Sequence, residues 1–268
     1  MNIIDFEYDG QLASSFDLLF CQVDGDDGVT TLPNGCEINF NQVSTKGGSL
    51  WLTTNTTYDT VLETTFQMCK FNCRDGITAF DSDEQRTIVR WLNRKEPHVL
   101  RIISTDDIYD CCFFEGSFNL QKIETPDGVI GFELHFISNR PYAIGETIKQ
   151  VINLTAAKEY KLLDVSDEVG YIYPNLSVTC LQDGDLRLYN ALENRTTVIK
   201  NCTQNEKISF DQFLHFSSTN PNHKIQTDFN FIFFRIANSY QEKTNKISSS
   251  MDCKLELSYN PIIKGVGL

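Results

Sequence analysis

Cysteine and histidine residues are the first candidates for metal chemistry in this chain. Cys69 and Cys73 are separated by three residues, Cys111 and Cys112 are adjacent, and His98 lies between the two pairs in the sequence. Structural zinc sites draw on two pairs of ligands whose members are separated by about two to four residues. Because the adjacent pair does not fit this spacing, the sequence favours buried thiols over a zinc site.

A second candidate is calcium, which carboxylate oxygens bind. The run DGDDG (24–28) places three carboxylates in a turn. A calcium loop of the EF-hand type also needs a bidentate Glu at its twelfth position. That position is Gly35 here, and no helices are predicted on either side. An acidic hairpin turn is therefore favoured over a calcium site.

Nucleophilic catalysis would need a Cys or Ser beside a base, and the chain has four histidines: His98, His135, His215 and His223. The sequence contains no nucleophile elbow, no phosphate-binding loop and no His-Glu-x-x-His pattern. A Cys–His pair that only folding brings together is the remaining catalytic alternative. We predict that the protein is not an enzyme and that it uses no metal or cofactor.

The elements that must carry these residues are mainly β-strands. FELHF (132–136) and CKLELSY (253–259) alternate apolar and polar residues, which is typical of antiparallel sheets with one face in water. DFNFIFFRI (228–236) is apolar on both faces and predicts a central strand. The polar stretch 242–250 predicts a hairpin loop, and Asp-Gly pairs punctuate the strands.

One segment predicts an amphipathic helix near 82–94. Ser82 is placed to cap its start, with Gln85 completing a capping box. Its apolar residues share one helical face: Ile88, Trp91 and Leu92. A lone helix among strands is expected to cover one face or end of a sheet, so the first domain is predicted to be α+β within a mainly β chain.

Charge divides the chain into two halves. Residues 1–145 contain 10 Lys and Arg against 22 Asp and Glu, a net charge of −12, whereas 146–268 contain 13 against 14, a net charge of −1. We predict a first domain over 1–145, a linking segment over 146–170 and a second domain over 171–268. The acidity of the first domain repels phosphate, which excludes tight binding of nucleic acid there.

The cellular compartment is inferred from the start of the chain and its apolar runs. No basic segment precedes an apolar core near residue 1, and the longest apolar run, FIFF (231–234), is too short to span a bilayer. The chain is expected to fold in the cytosol without membrane insertion. In that reducing environment, the nine cysteines are expected to be thiols.

Carbohydrate binding is the main alternative for a β-rich chain, because exposed aromatic rings can stack on sugar rings. The two tryptophans, Trp51 and Trp91, lie in the first half, and Trp91 belongs to the helix stripe. A monomeric, lectin-like module therefore stays an alternative without positive support.

Around the predicted helix lies the main basic cluster of the first half: Arg86, Arg90, Arg94, Lys95 and Arg101. A solvated helix face is one interpretation. The other is complementarity, because an acidic domain with one basic patch can pair head to tail with copies of itself.

Eight short segments form a spaced set that covers most of the chain: ASSFDLLF (13–20), RTIVRWLN (86–93), LRII (100–103), FELHFISNRPY (132–142), YIYPNLSVT (171–179), DGDLRLYN (183–190), KISFD (207–211) and LSYNP (257–261). Taken in this order and spacing, they resemble the distal tail proteins of long-tailed, non-contractile phages. The family usually has a GRDG-like turn near the start, and KGGSL (46–50) is the nearest equivalent here.

The resemblance implies a fold and a role. The first domain would be a β-sheet or split barrel with one capping helix that closes a hexameric ring, and the second an outward galectin-like β-sandwich. The protein would be a structural virion component of the tail tip, made in the host cytoplasm. It would join the tail-tube protein to the tail-tip or tail-associated protein and hold receptor-binding proteins.

DNA would pass through the lumen of that ring without specific binding, along an acidic wall. The first candidates for the subunit interface are Arg86, Arg90, Arg94 and Lys95.

Overall fold

A computed structural model describes residues 3–21, 36–45, 47, 50–72, 76–104, 112–156 and 158–264. Strands make up 57% of it and helices 8%, so the prediction of a mainly β protein is confirmed. The chain divides into two compact units: unit 1 comprises residues 1–145 and 263–268, and unit 2 comprises residues 146–262.

Unit 1 is built on a curled, half-barrel antiparallel sheet. Its strands are β1 (Ile3–Tyr8), β2 (Gln11–Leu12), β3 (Leu18–Phe20), β4 (Ile38–Ser44), β5 (Trp51–Tyr58), β6 (Glu63–Asn72), β7 (Gly76–Ile77), β8 (His98–Ser104), β9 (Cys112–Thr125), β10 (Gly128–Ser138) and β11 (Ala143–Gly145). The main path of the sheet is β2-β1-β8-β9-β10-β6-β3, with β7 and β11 at its sides. Strands β4 and β5 form a separate two-stranded sheet.

Helix α1 (Ser82–Leu92) covers the core of unit 1, as predicted from its apolar stripe. The Trp91 ring stacks on Phe6 with centroids 5.8 Å apart, and its indole nitrogen donates to the carbonyl oxygen of Tyr8 at 3.0 Å. Phe118 packs against Phe6 and Tyr8 at centroid distances of 5.6 and 5.0 Å. The helix is therefore held by aromatic contacts on one side and by a hydrogen bond that satisfies a buried donor.

The start of α1 differs by one residue from the prediction. Asp81, not Ser82, is the N-cap: its carboxylate accepts from the backbone N–H groups of Asp83 and Glu84, at 2.9 and 2.8 Å. Glu84 completes the capping box by accepting from the N–H of Asp81 at 2.8 Å. The helix ends at Leu92, so the predicted extent to residue 94 is two residues too long.

Unit 2 is a β-sandwich with two principal sheets. Its strands are β12 (Ile148–Leu154), β13 (Glu159–Leu163), β14 (Gly170–Ile172), β15 (Asn175–Cys180), β16 (Gly184–Asn190), β17 (Arg195–Cys202), β18 (Lys207–Phe210), β19 (Phe216–Ser218), β20 (Ile236–Asn238), β21 (Thr244–Ser249) and β22 (Cys253–Tyr259). One sheet has the order β12-β22-β15-β18-β19 and the other β13-β21-β16-β17, while β14 pairs with β20. A one-turn helix, α2 (Ile225–Asp228), precedes β20, and β23 (Ile262–Ile263) pairs with β11.

Two segments predicted as connections are strands. The segment 146–170, predicted as a link, carries β12 and β13, which are the edge strands of the two sandwich sheets. The stretch 242–250, predicted as a loop, contains β21 between β13 and β16, so that prediction is wrong. Asn245 in β21 is fully buried, and its side-chain oxygen accepts from Asn190 at 2.7 Å and from the N–H of Ala237 at 2.8 Å. The side-chain oxygen of this buried residue therefore has hydrogen-bond partners inside the fold.

The central strand predicted over 228–236 is also absent. This segment has an irregular backbone between α2 and β20, and Phe231 adopts a left-handed φ of 55° with 59% of its surface exposed. Phe229 and Phe233 instead pack together at 5.0 Å between centroids. The apolar residues of this segment therefore form an aromatic cluster and do not pair as a strand.

The cysteines are not all thiols. Cys21, just after β3, and Cys69 in β6 are joined as a disulfide with Cα atoms 6.0 Å apart, so the expectation of thiols is wrong for this pair. The free cysteines among the described residues are Cys36, Cys112, Cys180, Cys202 and Cys253.

Candidate assembly surfaces

The predicted basic patch lies along α1 and the turn that follows it. Arg86, Arg90 and Lys95 are exposed, whereas Arg94 is half-buried. Arg86 and Arg90 are one helical turn apart, so their cations share one side of the helix. Three of the four predicted interface residues can therefore reach another molecule.

Arg94 is engaged within unit 1. Its guanidinium donates to the carboxylate of Asp9 at 2.8 Å and lies over the ring of Tyr8 at 5.2 Å. This hydrogen bond holds the pKa of Asp9 below its usual value. The position after the helix end thus fixes the β1–β2 turn, which is a structural role that the sequence did not predict.

A second surface, which sequence reasoning missed, is the hairpin of β4 and β5. Ile38 pairs with Tyr58 and Ser44 with Trp51. Asn41 and Gln42 are consecutive but pair with Asn55 and Thr53, so Thr54 is an extra residue in β5 and forms a bulge. Side chains alternate between the two faces of a strand, and one extra residue at a bulge reverses the alternation of the strand that carries it. Strand β4 therefore alternates throughout, whereas the bulge in β5 moves Trp51 to the face of Ile38.

That alignment brings large apolar residues together on one face. Ile38, Phe40 and Trp51 lie there and are each 48–61% exposed; we call them the apolar hairpin face. On the same face, Gln42 donates to Thr53 at 3.3 Å. The opposite face is mostly amide and hydroxyl side chains, with the cross-strand pair of Val43 and Leu52 as its apolar exception. A two-stranded sheet with an uncovered apolar face is marginally stable by itself, so this face is a candidate surface for association.

The hairpin is nearly free of charge in a strongly acidic chain. Between residues 38 and 58 the sequence contains one charged residue, Lys46, which lies outside the described residues. The alternation of INFN (38–41) and the Thr-rich β5 were the signals in the sequence that could have identified this element.

The residues considered for metal chemistry do not assemble in the described part of the chain. Cys73, Cys111 and the acidic run 24–28 lie outside the described residues. Cys112 is buried in the core of unit 1, and His98 lies 3.4 Å from a carboxylate oxygen of Asp9. Within the described ranges, no group of three or more His, Cys, Asp and Glu side chains is arranged to hold a metal ion.

The histidines considered as catalytic bases lie beside carboxylates. His135 is 3.2 Å from Glu63, and His215 is 2.8 Å from Asp211 at the surface of unit 2. His223 is buried, with its Nδ1 2.5 Å from Glu206 and its Nε2 3.3 Å from Asp228. Glu206 also accepts from the hydroxyl group of Ser218 at 2.5 Å. This cluster connects the β17–β18 turn to the irregular segment after β19, which is a structural use of the imidazole.

A shallow groove of about 310 Å³ crosses the outer face of the five-stranded sheet of unit 2. Lys149, Ser177, Glu256 and Ser258 are among its walls, and Phe210, the aromatic residue that lines it, is buried. An exposed ring for stacking on a sugar is absent from this lining, so the groove does not favour the lectin-like alternative. No helix of the described residues is long and apolar enough to cross a membrane.

Comparison with known proteins identifies the family. Residues 1–140 match a family described as phage tail protein N-terminal domain, and residues 142–259 match phage tail C-terminal domain. The chain belongs to this phage tail protein family. A comparison with curated protein sequences gives no match.

The fold is also similar to that of the Dit protein of phage SPP1, which is described as a paradigm of the hub adsorption apparatus in phages that infect Gram-positive bacteria. The TM-score is 0.65 at 12% sequence identity, and the match covers 96% of this chain and 99% of that one. The predicted resemblance to distal tail proteins is confirmed by the family matches and by this fold.

Proposed function

We propose that this phage tail protein is the distal tail protein of its particle. It would form a hexameric ring at the tail tip, between the tail-tube protein and the tail-tip or tail-associated protein, and it would act without catalysis. The observation that carries this proposal is the match of both units, in order and over nearly the whole chain, to the fold of a hub protein. The outward sandwiches would hold receptor-binding proteins.

The apolar hairpin face is our candidate for the contact between neighbouring copies. Six copies of an acidic chain repel one another, and this repulsion is strongest where charged surfaces come into contact. A hairpin with an uncovered apolar face and almost no charge can bury its surface against a second copy without adding to the repulsion. The basic patch of Arg86, Arg90 and Lys95 can contribute by pairing with acidic groups at the rim.

The charge asymmetry supports a passage for DNA. Unit 1 carries almost all of the excess negative charge, and a ring of six such units would present a lumen that repels phosphodiester groups. DNA would then slide through without specific binding. A ring structure whose bore is neutral or basic would contradict this part of the proposal.

Solution mass and negative-stain microscopy test the ring and its interface. We expect a species of six times 30.6 kDa, alone or after mixing with the tail-tube protein. Phe40→Asp should weaken its assembly by more than about tenfold, because a carboxylate would be buried in an apolar contact. Asn39→Asp adds the same charge to the polar face of the same strand and should leave assembly near the wild-type level.

The outcomes separate the interface from the function. Rings that persist in Phe40→Asp would show that the apolar hairpin face is not the subunit interface, while the proposed hub function would stand. A chain that stays monomeric even with the tail-tube protein, and that is retained on a glycan array, would instead support the carbohydrate-binding alternative.

A further inference from the structure

A buried polar cluster in unit 2 brings a lysine, an asparagine and an aspartate together. Asn238 ends β20, Lys243 precedes β21, and the tight turn between them is closed by a hydrogen bond from the N–H of Ser239 to the carbonyl oxygen of Glu242 at 2.9 Å. Residues that flank such a turn lie opposite each other and share one face.

Both side chains converge on one acceptor. The Nδ2 atom of Asn238 donates to the carbonyl oxygen of Ser166 at 2.7 Å, and the Nζ atom of Lys243 donates to the same oxygen at 2.8 Å. The two nitrogen atoms are therefore neighbours around a single oxygen. Within the described residues Lys243 makes this contact and no ion pair, so its amine is not committed to a carboxylate.

Asp164 completes the cluster. It is 1% exposed, and its Oδ2 atom accepts from Nδ2 of Asn238 at 3.1 Å. Its other oxygen accepts from the N–H and hydroxyl groups of Ser166 at 3.2 and 2.9 Å, which fixes the carboxyl group in place. Tyr259 lies on the remaining side, where burial and the nearby carboxylate raise its pKa.

The amide of Asn238 is only half satisfied. The residue is 5% exposed, and its Oδ1 atom accepts no hydrogen bond within the described part of the chain. A buried carbonyl oxygen without a donor is destabilising and calls for an explanation. The carbon atom of this carbonyl group, Cγ of Asn238, is the atom that a neighbouring amine would attack.

We propose that Lys243 and Asn238 form an intramolecular isopeptide bond, with Asp164 as the proton-transfer group. The Nζ atom of neutral Lys243 attacks Cγ of Asn238, the new Nζ–Cγ bond forms, and the Cγ–Nδ2 bond breaks. Asp164, which contacts Nδ2, passes the proton lost by Nζ to the leaving nitrogen, which departs as ammonia. Atoms and electrons balance without an oxidant or any other reactant.

The surroundings favour this exchange of one amide for another. Groups held next to each other react far faster than free ones. The bond would covalently join the β14–β20 pair to β21, a strand inside the four-stranded sheet.

The test is the intact mass of the purified full-length chain under reducing conditions. We expect a mass lower than that of the sequence by one ammonia molecule, and a branched peptide joining Lys243 to Asn238 after proteolysis. Lys243→Arg keeps a cation beside the Ser166 carbonyl but has no nucleophilic amine, so it should restore the full mass. Lys246→Arg, at an exposed lysine three residues further along in β21, should retain the loss.

The sequence itself offers a second route to the same mass change, since Asn34 precedes Gly35 and such pairs can lose ammonia by cyclising. The Lys243→Arg variant separates the two routes. An ammonia loss that survives in Lys243→Arg, or a wild-type chain with the full mass of its sequence, would overturn the proposal. Asp164→Asn, if folded, should show the full mass or a slower loss.

Discussion

At the scale of single residues, the buried pair of His223 and Glu206 decides how unit 2 responds to pH. Burial of the His223 ring opposes its charge, but the hydrogen bond and attraction of Glu206 outweigh burial and raise the pKa of His223 above 6.5. Burial likewise opposes the charge of Glu206, but donation from Ser218 and His223 lowers its pKa below 4.5. Each group therefore favours the charged form of the other.

The signs of these shifts predict a window of stability. The His223 contribution is fully present below pH 6.5 and is lost as the pH rises through its raised folded pKa. The Glu206 contribution is present above pH 4.5 and is lost as the pH falls through its lowered folded pKa. Thermal melts should therefore show the highest midpoint for unit 2 between these two values.

Two histidine variants check this assignment. His223→Gln should flatten the decline on the alkaline side, because the titrating group is gone. His215→Gln removes an exposed imidazole of the same unit and should leave the profile unchanged. An alkaline decline that is equally steep in His223→Gln would assign it to another group.

At the scale of elements, the start of α1 depends on one carboxylate. Asp81 accepts from two backbone N–H groups that have no partner within the helix. Asp81→Ala should lower the free energy of unfolding of unit 1 by about 1 kcal/mol, measured by chemical denaturation. Asp81→Asn keeps a capping oxygen and should lower the free energy of unfolding by only a few tenths of about 1 kcal/mol. Equal losses in the two variants would show that charge, and not the cap, matters.

How far the elements can be predicted from sequence depends on whether their residues interact with nearby or with distant parts of the chain. Helix α1 was predictable because its stripe, cap and charges all agree; its start was misplaced because Asp81 and Ser82 can both cap a helix. Strand β21 was missed because Asn245 is polar, and nothing local indicates that Asn190 completes its hydrogen bonds 55 residues away. Long-range partners, and not local propensity, decide such segments.

The same reasoning applies to the candidate surfaces. The basic side chains around α1 were found because a helix displays them at regular spacing, but the commitment of Arg94 to Asp9 depends on a contact 85 residues distant. The apolar hairpin face was missed because the alternation of β5 is interrupted: without knowledge of the bulge at Thr54, strict alternation assigns Trp51 to the face opposite to Tyr58, away from Ile38 and Phe40. A single inserted residue hides a continuous face from any test of strict alternation.

At the scale of the whole molecule, net charge sets the conditions for assembly. Each copy carries a net charge of −13, so association works against electrostatic repulsion that salt screens. The two candidate surfaces respond to salt in opposite ways. A contact through the apolar hairpin face gains from screening, because repulsion falls while burial of apolar area is unaffected or strengthened. A contact through Arg86, Arg90 and Lys95 loses the attraction that forms it.

Salt dependence of the assembled fraction therefore tells the two interfaces apart. We expect the sixfold species to increase between about 0.02 M and about 0.5 M salt, with sedimentation velocity as the measurement, since the Debye length falls severalfold over that range. Arg90→Glu should then change the assembled fraction mainly at low salt, where rim charges still interact. Dissociation on adding salt, together with loss of assembly in Arg90→Glu at every salt concentration, would show that the basic patch forms the interface and that the apolar hairpin face does not.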